Sequence, residues 1–203
     1  MGVSGFDGSG QLVQCGQVSG LGHQVVPLQR RRHGQQRLAA RLKVTRGSFY
    51  WHFKSRQELL DGLLALWRRS NTEALVAAIT RPGQDLEERI LALFKLWLDE
   101  EVFDHRLDTA LRDWGRKKPA VRQAVDEADR LRVAAIAEGF RDAGFSQPEA
   151  TTRASVVYFA QVGFYAHEIR ISRAERLRLW PVFYKIYTGR TLSKARLAQI
   201  GKG

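Results

Sequence analysis

The stretch that decides the fold runs Leu38-Ala39-Ala40-Arg41-Leu42-Lys43-Val44-Thr45-Arg46-Gly47-Ser48-Phe49-Tyr50-Trp51-His52-Phe53-Lys54-Ser55-Arg56-Gln57-Glu58-Leu59-Leu60. Leu38, Ala39 and Leu42 share one helical face, and Arg37, Arg41 and Lys43 lie off it, which reads as a short amphipathic helix. The pattern breaks at Lys43-Val44, and Thr45 is placed to cap a second helix from Arg46 to His52. Phe49 and Phe53 are four apart and fall on one face. After a second break at Lys54-Ser55, Ser55-Arg56-Gln57-Glu58 reads as a capping box. Leu59, Leu60, Leu63, Leu64 and Trp67 supply the apolar stripe behind it.

Two short helices joined by a tight turn follow the helix-turn-helix plan, whose second helix lies in the major groove of DNA. That plan needs an apolar inner face to hold the helix and a polar outer face to meet bases and phosphates. Phe49 and Phe53 supply the first, and Thr45, Arg46, Ser48, Tyr50 and His52 supply outward donors. Gly47 lets the helix start approach the DNA backbone closely. Lys54 and Arg56 add positive charge at the next helix N-terminus, a place that itself favours a phosphate. With Arg41 and Lys43 on the preceding helix, these residues form the expected DNA-contacting set. Trp51 is expected to pack rather than to touch a base.

This stretch resembles the TetR (tetracycline-repressor-like) family of regulators, above all in the pattern Phe49-Tyr50-x-His52-Phe53-x-Ser55-Arg56-x-x-Leu59. The resemblance implies that Thr45, Arg46 and Ser48 approach bases and flanking phosphates, that Tyr50 and His52 hold phosphates, and that Lys54 sits at the phosphate-binding start of the fourth helix. It also implies a symmetric dimer, paired through the last two helices.

Ahead of this stretch the chain departs from the family pattern. Residues 1–34 contain eight glycines and no helical or strand period, and their basic run, Arg30-Arg31-Arg32, comes late. The family's amphipathic first helix has no counterpart there. The abrupt change at Gln35 reads as a gene translated out of frame upstream of Leu38, and the segment is expected to be poorly ordered. The basic run reads as a solvated tail rather than a minor-groove arm.

Beyond Asn71 the patterning is helical throughout. Helices are expected near Leu86–Glu101, with Ile90, Leu93, Phe94 and Trp97 inward, and over Arg106–Trp114. A long helix is expected from Pro119 through Ala143, closed by Gly144. A further helix should open on the capping box Ser146-Gln147-Pro148-Glu149 and run to about Ile171. The last should span Ala174–Tyr187 and end at Gly189, with Pro181 as its start or its kink. The aromatic residues Phe94, Trp97, Phe103, Trp114, Phe140, Tyr158, Phe159, Phe164 and Tyr165 are core by default. Among them Phe94, Trp97, Trp114 and Tyr158 are expected to line an apolar pocket. Arg153, Ala160, Gly163, Trp180, Phe183 and Tyr187 are the residues expected at the dimer surface.

Charge follows the same division. The whole chain carries +12, and residues 1–71 hold +8 of it, which suits a polyanionic partner at that end. The single cysteine, Cys15, excludes an internal disulfide, and no apolar run reaches a membrane span. A cytoplasmic protein is expected, with no cofactor. His105 with Asp108, and His167 with Glu168, lack the further ligands a metal would need. No nucleophile–base pair or phosphate-cradling loop supports an enzyme.

The expected protein is therefore all-α. It has an atypical segment over 1–34, a helix-turn-helix domain over 35–70 and a ligand-binding and dimerisation domain over 71–203. It would act as a repressor on a pseudo-palindromic double-stranded operator and be released by a small apolar effector. The competing reading is a helical, dimeric small-molecule-binding protein with impaired DNA binding.

Overall fold

The computed structural model describes residues 55–99, 103–193 and 195–196. The readings for residues 1–54, including both helices of the helix-turn-helix and the atypical segment 1–34, lie outside the described residues. Every regular element among the described residues is a helix. The chain divides into two compact units. One gathers the chain up to Arg69 with Arg106–Val125, and the other gathers Ser70–His105 with Asp126–Gly203.

In the first unit, helix α1 (Arg56–Trp67) starts as its sequence directs. Ser55 is extended, and its Oγ accepts the backbone N–H of Glu58 at 3.1 Å. Leu59, Leu60, Leu63 and Trp67 are buried, one stripe of the helix. Helix α2, His105–Gly115, adds buried Leu107, Ala110, Leu111 and Trp114 at three- and four-residue spacing. The first turns of helix α3, Pro119–Asp142, add Val121 and Val125.

The segment Arg68–Glu73, which follows α1 directly, is π-helical. It carries buried Asn71 and Thr72, and nothing in the hydrophobic pattern foretells it. From Ser70 on it belongs to the second unit. There the Asn71 side chain exchanges hydrogen bonds with the Asp104 backbone, donating to the carbonyl at 2.8 Å and accepting the N–H at 3.2 Å.

The second unit continues with the short helix Ala74–Ile79 and the helix Leu86–Asp99, which pack against each other. The latter opens on a reciprocal capping box: Glu88 N–H donates to Asp85 Oδ1 at 2.8 Å, and Asp85 N–H donates to Glu88 Oε2 at 3.2 Å. The spacing Asp85-x-x-Glu88 is the sequence signature of this cap. Leu86, Ile90, Leu91, Leu93, Phe94 and Trp97 are buried on its inner face. Helix α3 ends where Gly144 takes φ +91°, with Phe145 N–H donating to the Phe140 carbonyl at 3.1 Å.

Two helices, Gln147–Ala166 and Arg173–Thr188, complete the unit and contact one another. Two expectations need correction in the first. Ser146 occupies the cap position, but its side chain makes no capping bond. The helix also stops at Ala166 rather than near Ile171. Glu168 adopts φ +49°, and Ile169 N–H returns to the Phe164 carbonyl at 3.0 Å, a left-handed stop made without the glycine that usually signals it. The last helix is capped by Ser172 Oγ, which accepts Glu175 N–H at 3.1 Å, and ends at Gly189 with φ +70°. It begins at Arg173 and runs through Pro181, so Pro181 is not its start.

After Gly189 the chain returns along the start of the Leu86–Asp99 helix. Ser193 Oγ donates to Glu87 Oε1 at 2.8 Å, and Arg196 pairs with Glu88. The Arg196 hydrogen bond holds the Glu88 carboxyl below its usual range. Phe159, expected in the core, is 49% exposed, because it shares the outer face of its helix with exposed Val156.

Candidate functional site

The residues expected to touch DNA, Arg41, Lys43, Thr45, Arg46, Gly47, Ser48, Tyr50, His52 and Lys54, lie outside the described residues. What the structure describes is how the helix after them is held. Trp67, at the end of α1, donates its indole N–H to Asp108 Oδ1 at 2.8 Å, and Arg112 Nε donates to Asp108 Oδ2 at 2.7 Å. Trp67 is fully buried and Asp108 is 3% exposed. A buried carboxylate with a donor on each oxygen fixes α1 to α2 within one unit. Asp108 is thereby committed to structure, not to a metal. Among the described residues no group of three or more His, Cys, Asp or Glu side chains is placed to hold an ion.

The second unit holds a small cavity of about 30 Å³ lined by Phe94, Trp97, Gln161, Phe164, Ile171, Arg176, Phe183 and Tyr187. Phe94 and Trp97 reach it from the helix Leu86–Asp99. Arg176, Phe183 and Tyr187 reach it from the last helix. The other two pocket candidates lie elsewhere. Trp114 is buried in the first unit. Tyr158 is 1% exposed and does not line the cavity; its hydroxyl donates to Asp129 Oδ1 at 2.6 Å and accepts from Arg132 Nη1 at 2.7 Å. Burial raises the Tyr187 phenol above its ordinary value, and the nearby Arg176 charge opposes that shift.

Sequence reasoning passed over Gln161, Ile171 and Arg176, which meet only because three segments fold together. It assigned Phe183 and Tyr187 to the dimer surface, although their rings stack 5.9 Å apart beside the cavity. Trp180, assigned to the same surface, is 2% exposed and stacks on Phe94 at 3.9 Å, inside the unit. Arg153 is held by Glu149 at 2.9 Å and by the Tyr187 carbonyl at 2.7 Å. Ala160 and Gly163 are half-buried, and a methyl group added at Gly163 would meet open space. The exposed large apolar residues of these two helices are Val156, Phe159, Val182 and Ile186.

Residues 34–63 match the family model described as bacterial regulatory proteins, tetR family. That stretch is similar to the TetR family of regulators. The match begins where the composition changes, covers the whole candidate DNA-contacting set, and reaches the described residues at Ser55 to Leu63. Among solved structures, the crystal structure of a Rhodococcus sp. protein described as a TetR-family transcriptional regulator superposes with a TM-score of 0.55 at 19% identity. The superposition covers 84% of this chain and 98% of that one, so the two share a fold. No curated protein matches the chain. Among the described residues, no helix is long and apolar enough to cross a membrane.

Proposed function

We propose that the protein is a dimeric repressor that reads a pseudo-palindromic operator and is released by a small apolar effector. The observation that supports this most directly is the family match over residues 34–63, the stretch whose outward residues suit DNA. Residues 35–70 read DNA, with Arg41, Lys43, Thr45, Arg46, Gly47, Ser48, Tyr50, His52 and Lys54 as contacts. Residues 71–203 bind the effector and the second protomer. Two reading helices about 34 Å apart then meet successive major grooves. The effector acts by preferring one conformation of the dimer, the only way binding energy can shift such an equilibrium.

Fluorescence anisotropy with DNA from upstream of the gene, beside a scrambled duplex and at several salt concentrations, tests this reading. Tighter binding to the upstream DNA, weakening as salt rises, is expected. Arg46→Ala should weaken operator binding by about 1–3 kcal/mol. Equal, weak binding to both duplexes would favour a small-molecule-binding protein that does not read DNA.

The dimer face is assigned to Val156 and Phe159 with Val182 and Ile186, 49–66% exposed on the two helices that pack together. Large apolar side chains grouped on adjoining helices are what a buried interface uses. Ile186→Arg should convert the dimer to a monomer in sedimentation equilibrium while leaving the helical circular dichroism intact. A dimer that survives this change with unaltered affinity would place the interface elsewhere.

A further inference from the structure

The lining of the second-unit cavity is not uniformly apolar, and its polar end is one-sided. The indole N–H of Trp97 and the side-chain NH2 of Gln161 are buried and have no hydrogen-bond partner. Trp97 is 4% exposed. The Gln161 amide is oriented by Arg176, whose Nη2 donates to Gln161 Oε1 at 3.2 Å, so the amide nitrogen is the group left without a partner. The Trp97 carbonyl, freed in the last turn of its helix, accepts from Tyr165 Oη at 3.1 Å and Arg176 Nη1 at 3.4 Å.

Among the described residues no carboxylate pairs with Arg176, which lies against this lining. The unsatisfied polar groups here are thus donors, accompanied by one positive charge with no counter-ion. Buried donors of this kind are uncommon in folded proteins and call for an explanation. A neutral apolar molecule would leave them as they are.

We propose that the cavity takes an aromatic monocarboxylate, its ring among Phe94, Phe164 and Phe183 and its carboxylate accepting from Trp97, Gln161 and Arg176. This rests on the reading of the cavity as the effector site, and it narrows the expected apolar effector to one that carries an acidic group. A carboxylate fits where a single carbonyl does not. It offers two oxygens and about four lone-pair directions to donors arriving from three helices, and it neutralises the guanidinium. The aromatic walls suit a flat ring over a branched chain.

The free space of about 30 Å³ holds only one or two waters, so the ligand must widen it. The last helix carries Arg176, Phe183 and Tyr187 toward the cavity, and it carries Val182 and Ile186 on its exposed side. Moving that helix to admit the ring therefore also moves part of the assigned dimer face. A ligand at this site is linked to protomer pairing through one element.

The test uses the full-length protein at pH 7 with benzoate, phenylacetate, 3-phenylpropionate and 4-phenylbutyrate, each beside its primary amide. Binding is read by calorimetry and by the thermal unfolding midpoint. At least one acid should bind about tenfold more tightly than its amide, because hydrogen bonds to an ionised acceptor are roughly twice as strong as neutral ones. Arg176→Gln should abolish that preference while leaving amide binding in place, which also shows that the variant cavity is intact. Trp97→Phe should weaken the acid severalfold. An amide that binds as well as its acid, or a preference that survives Arg176→Gln, overturns the carboxylate proposal and leaves the effector-site reading standing. Binding of neither acids nor amides overturns both.

Discussion

Replacing Arg132 with leucine should lower the unfolding midpoint by about 10 °C. Arg132 is fully buried in helix α3, in the part belonging to the second unit. Its Nε and Nη2 donate to Thr72 Oγ1 at 3.0 and 2.8 Å, and its Nη1 donates to the Tyr158 hydroxyl at 2.7 Å. That hydroxyl passes its own proton toward Asp129 Oδ1 at 2.6 Å, and the Asp129 carboxylate stands 4.0 Å from the guanidinium. The rings of Phe103 and Tyr158 lie 5.7 and 5.9 Å from the guanidinium carbon. Leucine fills part of the volume but leaves the Thr72 hydroxyl and the Asp129 carboxylate without the charge they face. Breaking one side of a buried ionic network costs about 3–5 kcal/mol. For a chain of this size each kcal/mol moves the midpoint by about 2–4 °C. The double variant Arg132→Leu/Asp129→Asn should recover part of the loss, because the stranded charge is gone. A single-variant shift under about 3 °C in thermal circular dichroism would show that the network contributes little.

The second large effect concerns Asp108. Asp108→Ala removes the acceptor for the Trp67 indole and for Arg112 together, at a site 3% exposed. A loss of about 3–5 kcal/mol is expected, since two donors, one of them charged, lose their partner away from water. Asp108→Asn keeps an oxygen for Trp67 and loses only the charge facing Arg112, so it should cost about half as much. Helix α1 directly follows the stretch proposed to read DNA. Asp108→Ala should therefore also weaken operator binding at a temperature where the variant is still folded. If stability falls and operator affinity does not, the tie between α1 and α2 serves the fold alone.

How much of this could be read beforehand depends on how local each feature is. Ser55, Ser172, Gly144 and Gly189 mark helix ends through their own side chains or their own φ, and the helices begin and stop there. The end of the Gln147–Ala166 helix was hidden because a glutamate, Glu168, takes the left-handed position. The π-helical turn at Arg68–Glu73 was hidden because Asn71 and Thr72 are polar, and only their distant partners Asp104 and Arg132 explain their burial. At the cavity, Phe94 and Trp97 stood out as aromatics on a strongly patterned helix. Gln161 and Arg176 gave no such signal, since an isolated polar residue on a helix ordinarily faces solvent. Arg132 carried a faint one: it falls on the stripe of Ala128, Ala135 and Ile136, where an arginine has to find partners inside.

The orphaned donors of Trp97 and Gln161 also bear on how long the protein persists in a cell. Each buried donor left without a partner costs about 1–3 kcal/mol, against a total stability of about 5–15 kcal/mol for an ordinary domain. A molecule that satisfies them stabilises the folded chain by mass action and shrinks the unfolded fraction open to proteases. Changes of about 1–2 kcal/mol alter cellular abundance several-fold. On the proposed function, such a ligand would set the protein's turnover as well as its conformation, and a cell short of it would hold fewer copies of the protein.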